Sequence, residues 1–139
     1  MRSGRQERVA KVLRELADEE SVGLMVRGQS MVPLLEDGNR VEIAARTFYL
    51  PGDVVAFRSD DQCLTVHRVL GYRPTRGGWR VVTRGDAAKA LDPPLERHRI
   101  LGRVVSGDCA TRAFRVPLRD RALAVVGFLA AAARSLVRS

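Results

Sequence analysis

Six short runs rich in β-branched and aliphatic residues, each cut off by turn chemistry, constrain this chain more than any other feature. They are Gly-Leu-Met-Val (23–26), Arg-Val-Glu-Ile (40–43), Asp-Val-Val-Ala-Phe (53–57), Leu-Thr-Val-His-Arg-Val-Leu (64–70), Trp-Arg-Val-Val-Thr (79–83) and Leu-Gly-Arg-Val-Val (101–105). Between them Asp37-Gly38, Pro51-Gly52-Asp53, Gly77-Gly78 and Gly85-Asp86 supply residues that reverse a chain at little steric cost. Runs of this length, spaced by about ten residues, favour antiparallel pairing over βαβ units, which need helical crossovers. The expected fold is mainly β: a coiled antiparallel sheet or small barrel.

Helical signals stand at the two ends. Val9, Val12, Leu13 and Leu16 recur at helical spacing between charged residues, so residues 4 to about 20 are expected to form one amphipathic helix with Ser3 as its cap. Its polar side carries both signs of charge, which marks the apolar stripe as a packing face. At the other end, Ala122 to Ala133 are apolar, with arginines on either side. Those twelve residues are too few to cross a bilayer, which takes roughly 20. Two uses stay open: a helix buried against the sheet, or an interfacial helix whose arginines reach phospholipid headgroups. The chain is thus expected to divide into an N-terminal helix at 1–20, a β domain at 21–118 and a basic, Ala-rich helix at 119–139.

The 139 residues, 45% of them hydrophobic, suffice for a single modest core. The net charge of +8 comes from arginine, since Lys11 and Lys89 are the only lysines. The excess gathers late in the chain, where Arg112, Arg115, Arg119, Arg121, Arg134 and Arg138 face only Asp120, a balance that suits phospholipid headgroups or nucleic acid. Cys63 and Cys109 belong to no CxxC or Cys/His cluster, so neither a zinc site nor a disulfide framework is expected, and no metal or cofactor is called for. They are read as free thiols or as one pair. Met1 to Glu20 is charged throughout and holds no apolar core segment. The expectation is a chain without signal peptide or N-terminal membrane anchor, cytoplasmic or peripherally bound to a membrane.

Chemistry first becomes legible at Gly28-Gln29-Ser30-Met31-Val32-Pro33, directly after the first β run. A serine hydroxyl is a weak nucleophile unless it is rigidly held beside a base. Gly28 permits a strained turn, Pro33 fixes the chain beyond, and the Ser30 amide could face a developing oxyanion. Taken alone, a serine in such a turn usually makes only a local hydrogen bond.

The ordered series is more specific. Ser30-Met31-Val32-Pro33 with Gly38, Pro51-Gly52-Asp53-Val54-Val55-Ala56-Phe57, Val66-His67-Arg68-Val69, Thr83-Arg84-Gly85-Asp86 and Ile100-Leu101-Gly102-Arg103-Val104-Val105 resembles the boxes of signal peptidase I and its relatives, a clan that includes the LexA-like self-cleaving proteins. The resemblance runs from about Val22 to Val105 and implies that clan's coiled β fold and serine endopeptidase activity. Bacterial signal peptidases and LexA-like proteins carry a lysine base, neutral once burial has lowered its pKa. Here His67 occupies that place. Lys11 lies on the first helix and Lys89 in a polar loop, so the chain resembles the endoplasmic-reticulum and archaeal type, in which serine works with histidine and aspartate.

A histidine, with an ordinary pKa of about 6.5, can act as base without extreme burial. An aspartate that fixes its tautomer assists it. Asp86 and Asp92 both follow the fifth β run. The resemblance assigns the later one, Asp92, as orienter of His67, and leaves Asp86 to shape the loop and support the site from behind. Read as turn chemistry alone, Asp86 is a Gly-Asp turn residue and Asp92 a cap before Pro93-Pro94. His98 sits in a charged run without comparable support. Two departures stand out: Ala87-Ala88 replace asparagines that usually continue the Gly-Asp box, and Gly28 replaces a serine found in many signal peptidases, though LexA-like relatives also have glycine there.

The implied function is an endopeptidase that cleaves a precursor peptide or preprotein after small residues, the substrate lying extended beside a sheet edge. Peripheral membrane contact through residues 121–139 is a possible partnership. A LexA-like self-cleaving or regulatory module is the alternative, but a single helix before residue 21 is too short for a helix-turn-helix, and nucleic acid is disfavoured as a partner. A membrane-associated pseudoenzyme is the third reading, left open by Ala87-Ala88 and opposed by the retention of Ser30, His67, Asp86 and Asp92.

Overall fold

The computed structural model describes residues 22–59, 64–109 and 111–138, with side chains as far as Arg134. The helix expected over residues 4–20, with its cap, lies outside the described residues, as does Cys63. Among the described residues six strands form: β1 (Val22–Met25), β2 (Arg40–Ala44), β3 (Val54–Arg58), β4 (Leu64–Thr75), β5 (Gly78–Arg84) and β6 (Ile100–Gly107). Short 3-10 turns at Arg97–Arg99 and Thr111–Ala113 flank β6, and one helix, α1 (Leu118–Arg138), follows. The strands make one sheet in the order β1-β2-β6-β3-β4-β5, every neighbouring pair antiparallel. The mainly β expectation therefore holds.

β3 lies inside the sheet between β6 and β4, and its sequence explains why. Val54, Val55, Ala56 and Phe57 form a continuous apolar run where a half-exposed strand would alternate. Val54 and Ala56 enter one core cluster with Met31, Leu35, Val41 and Val104, while Val55 and Phe57 enter a second with Tyr49, Val69, Val81 and Leu95. The sheet is thus packed on both faces at its centre. Each buried Val, Leu, Met or Phe among them contributes about 1.5–3 kcal/mol through burial.

β4 runs to Thr75, beyond the expected end at Leu70. A register shift between Val69 and Gly71 absorbs one irregular step, after which pairing with β5 continues from Gly71↔Val82 to Thr75↔Gly78. The two-residue turn Arg76-Gly77, one position earlier than the expected Gly77-Gly78, closes this hairpin, and Gly78 opens β5 at φ +108°.

One face of α1 docks against this sheet. Ala124 is buried with Leu70 and Val82, and Phe128 packs alongside them. Gly71 makes the approach possible, since a Cβ there would stand 3.0 Å from the Phe128 ring. The helix start is tied by Arg121, whose Nη1 donates to the Pro51 carbonyl (3.0 Å) and to the buried Asp53 Oδ1 (2.8 Å). Gly52 sits beneath it at φ +99°, where a Cβ would lie 2.8 Å from Arg121 Cγ. Among the described residues, no helix is long and apolar enough to cross a membrane.

Candidate active site

Ser30 occupies a run of turns between β1 and β2. Met31, Leu34 and Leu35 sink into the first core cluster and anchor the run, which leaves the more polar Ser30 half-buried at its rim. Gly28 takes φ +89°, and its N–H donates to Asp37 Oδ1 at 2.7 Å. A Cβ at Gly28 would meet nothing within 4 Å, so backbone conformation rather than space disfavours a serine there.

His67 reaches Ser30 from the middle of β4. Its Nε2 stands 2.9 Å from Ser30 Oγ, and its Nδ1 stands 2.5 Å from Asp92 Oδ2. His67 is 9% exposed, and its ring meets the Phe57 ring edge-on, with centroids 6.0 Å apart. Asp92 is delivered by the chain after β5, which folds back along that strand. Asp92 N–H donates to the Thr83 carbonyl (2.9 Å), and Leu95 and Val81 exchange backbone hydrogen bonds. The fully buried Thr83 also donates its hydroxyl to Asp92 Oδ2 at 2.7 Å. An ionised Asp92 accepts both bonds, which puts the imidazole proton on Nδ1 and leaves Nε2 free to accept from the serine hydroxyl.

Asp86 takes a different partner. Its two carboxylate oxygens accept from Arg68 Nε and Nη2, each at 2.8 Å, while Arg68 Nη1 donates to the Gly52 carbonyl. Burial alone would lower the Arg68 pKa, but the hydrogen bonds and charge of Asp86, helped by Asp120 and Asp53, outweigh it and raise the pKa. The loop carrying Asp86 still touches the serine turn: Ala87 N–H donates to the Ser30 carbonyl (2.8 Å), and Asp86 N–H points at Met31 Sδ (3.2 Å). These bonds brace the loop where Ala87 and Ala88 replace the expected asparagines.

Of the four residues singled out in the sequence, the fold therefore brings Ser30, His67 and Asp92 into one hydrogen-bonded line and places Asp86 on Arg68. Three further residues shape the site without having been assigned a part: Thr83, Arg68 and Gly85. A Cβ on Gly85 would lie 2.7 Å from the Ser30 carbonyl oxygen and 3.1 Å from His67 Nε2, so only glycine lets the loop pass this close. All three lie inside the quoted boxes, but their contacts depend on strand pairing that the boxes do not display. Lys89 is exposed on the loop, and His98 is a surface residue 3.2 Å from Glu96. Cys109 is a free thiol whose pKa is pushed up by burial and by Asp108, the opposite of thiolate activation. Among the described residues, no three His, Cys, Asp or Glu side chains gather as metal ligands.

A cleft of about 340 Å³ opens beside His67 and Asp92, walled by Phe57, Thr65, Pro93 and Leu95. Residues 3–105 match the peptidase S24-like family. The chain belongs to that family. The match spans the serine turn, β4 and the loop bearing Asp86 and Asp92, whereas α1 lies beyond it. The six-stranded antiparallel sheet agrees with the LexA-like fold of S24 peptidases. Family membership supports a peptidase activity at the family level. No curated protein matches the chain.

Proposed function

We propose that this S24-like protein is a serine endopeptidase of the Ser-His-Asp type that cleaves a precursor peptide or preprotein after small residues. The unbroken line Ser30 Oγ, His67 Nε2, His67 Nδ1, Asp92 Oδ2 carries this reading. His67 Nε2 removes the hydroxyl proton as Ser30 Oγ attacks the scissile carbonyl carbon. Asp92 holds the ring in position and balances the imidazolium charge, with Thr83 steadying the same carboxylate oxygen. The protonated Nε2 then delivers its proton to the leaving amine, and the acyl group remains on Ser30. Water activated by His67 hydrolyses that ester and restores the hydroxyl. The Ser30 N–H is the donor assigned to the oxyanion, since the Gly28 N–H is already bound to Asp37. The preference for small residues rests on the resemblance to signal peptidases.

Peptides with Ala-x-Ala sites provide the test. Wild-type protein is expected to cut them, and Ser30→Ala or His67→Ala to lower kcat by about 10⁴- to 10⁶-fold with an unchanged melting temperature. Undiminished cleavage by Ser30→Ala would remove the nucleophile from the mechanism.

A further inference from the structure

A helix with one face docked on a sheet ordinarily turns a polar face to water. α1 does not. Ala124 and Phe128 pack against β4 and β5, yet the residues on the opposite side are apolar as well. Leu118 is 83% exposed, Leu123 62%, Val126 61% and Leu129 59%. With Ala122, Val125 and Ala133 they recur every three or four positions and form a stripe on the order of 22 Å long at 1.5 Å per residue. From Ala122 to Ala133 no charged residue interrupts it.

The charges lie at the ends of the stripe. Arg115 and Arg119 are exposed where the helix begins, and Arg134 is exposed toward the far end. The neighbouring acid, Asp120, is only 6% exposed and faces inward, close to Arg112. Apolar side chains flanked by outward arginines, with no exposed acid on α1, complement a surface that is anionic outside and hydrocarbon within.

We propose that the outer face of α1 is a docking surface for an anionic phospholipid bilayer, on which the helix lies parallel to the membrane plane. Leu118, Leu123, Val126 and Leu129 enter the acyl boundary while Arg115, Arg119 and Arg134 meet headgroup phosphates. The peptidase domain then stands on the side of the helix away from the lipid. A second copy of the chain is a poorer occupant: a two-fold contact through this stripe sets the arginines of one copy against those of the other. The N-terminal segment offers no charge complement, since residues 1–20 hold five basic and five acidic side chains. Nucleic acid has no use for the apolar stripe.

The proposal is independent of the peptidase mechanism and is tested on the full chain by vesicle co-sedimentation. Binding is expected to phosphatidylcholine vesicles containing 30% phosphatidylglycerol, weakly to phosphatidylcholine alone, and to weaken as salt is raised. Val126→Glu with Leu129→Glu is expected to reduce binding at least about tenfold without lowering the melting temperature, because both residues already face solvent. Arg115→Gln with Arg119→Gln should weaken it about 25-fold, fivefold per charge removed. Absence of binding to the anionic vesicles at low salt overturns the proposal, as does binding untouched by the glutamate pair. Self-association of the chain that the glutamate pair abolishes, in the absence of vesicle binding, assigns the face to a second copy and also overturns it.

Discussion

Two aspartates leave one loop and end on consecutive residues of one strand: Asp92 on His67, Asp86 on Arg68. Successive side chains of a strand point to opposite faces, so the two pairs lie back to back across β4. On one side His67 stands between Ser30 and Asp92, with Thr83 behind, in a line where a proton can move. On the other, Arg68 is a permanent charge, 7% exposed, that ties Asp86 to the Gly52 carbonyl and lies near Asp53 and Asp120 at the root of α1. In the proposed mechanism the first pair changes its charge state. The second keeps its charge and ties the loop to the turn before β3. A single strand thus places the proposed base and the scaffold that steadies it.

The comparison is broken most forcefully at Asp92. Asp92→Asn is expected to lower kcat on a cleaved peptide by about 10⁴-fold while the urea midpoint hardly moves. Activity near the wild-type level would strip Asp92 of its proposed part. Asp86→Asn should behave in the reverse manner. It leaves the Arg68 charge buried and underpaired, at a cost of about 2–3 kcal/mol, the low side for a broken buried pair because the Asp86 side chain is 23% exposed. The urea midpoint should fall, and kcat per folded molecule should stay within about tenfold. A 10⁴-fold loss of kcat with unchanged stability would place Asp86 on the catalytic side. The smallest effect belongs to Thr83. Thr83→Val removes a hydrogen bond to a carboxylate worth about 1.5–3 kcal/mol, so kcat should drop about 10- to 100-fold, and Thr83→Ser should restore it. An unchanged kcat in Thr83→Val would make Thr83 a packing residue only.

Much of the fold was legible because strands announce themselves locally. The runs at 40–43, 53–57 and 79–83 became β2, β3 and β5 within a residue or two, since alternation, β-branching and Gly/Asp turns act over a few positions. The tail of β4 was not legible: residues 71–75 are strand only because β5 pairs with them after a register shift. In the site, Ser30 and His67 stood out through the ordered boxes. Thr83 and Gly85 carried no signal of their own, because what they do follows from the return of residues 92–95 along β5 and from the approach of the loop to the serine turn. The C-terminal segment was legible as a short apolar helix with arginine ends, and its two uses stayed open there. Docking now accounts for one face, through Ala124 and Phe128, and leaves the outer stripe uncovered among the described residues.

The amino-acid order by itself determined a mainly β domain, a serine in a rigid turn, a histidine rather than a lysine on the fourth strand, and two aspartates within reach of one loop. Those features depend on residue type and short-range spacing. Only the tertiary structure decided which aspartate meets the histidine, and that Thr83 shares its carboxylate. The choice rests on the face to which each side chain of β4 points and on a loop that doubles back ten residues later, both consequences of long-range pairing that no local stretch of sequence contains.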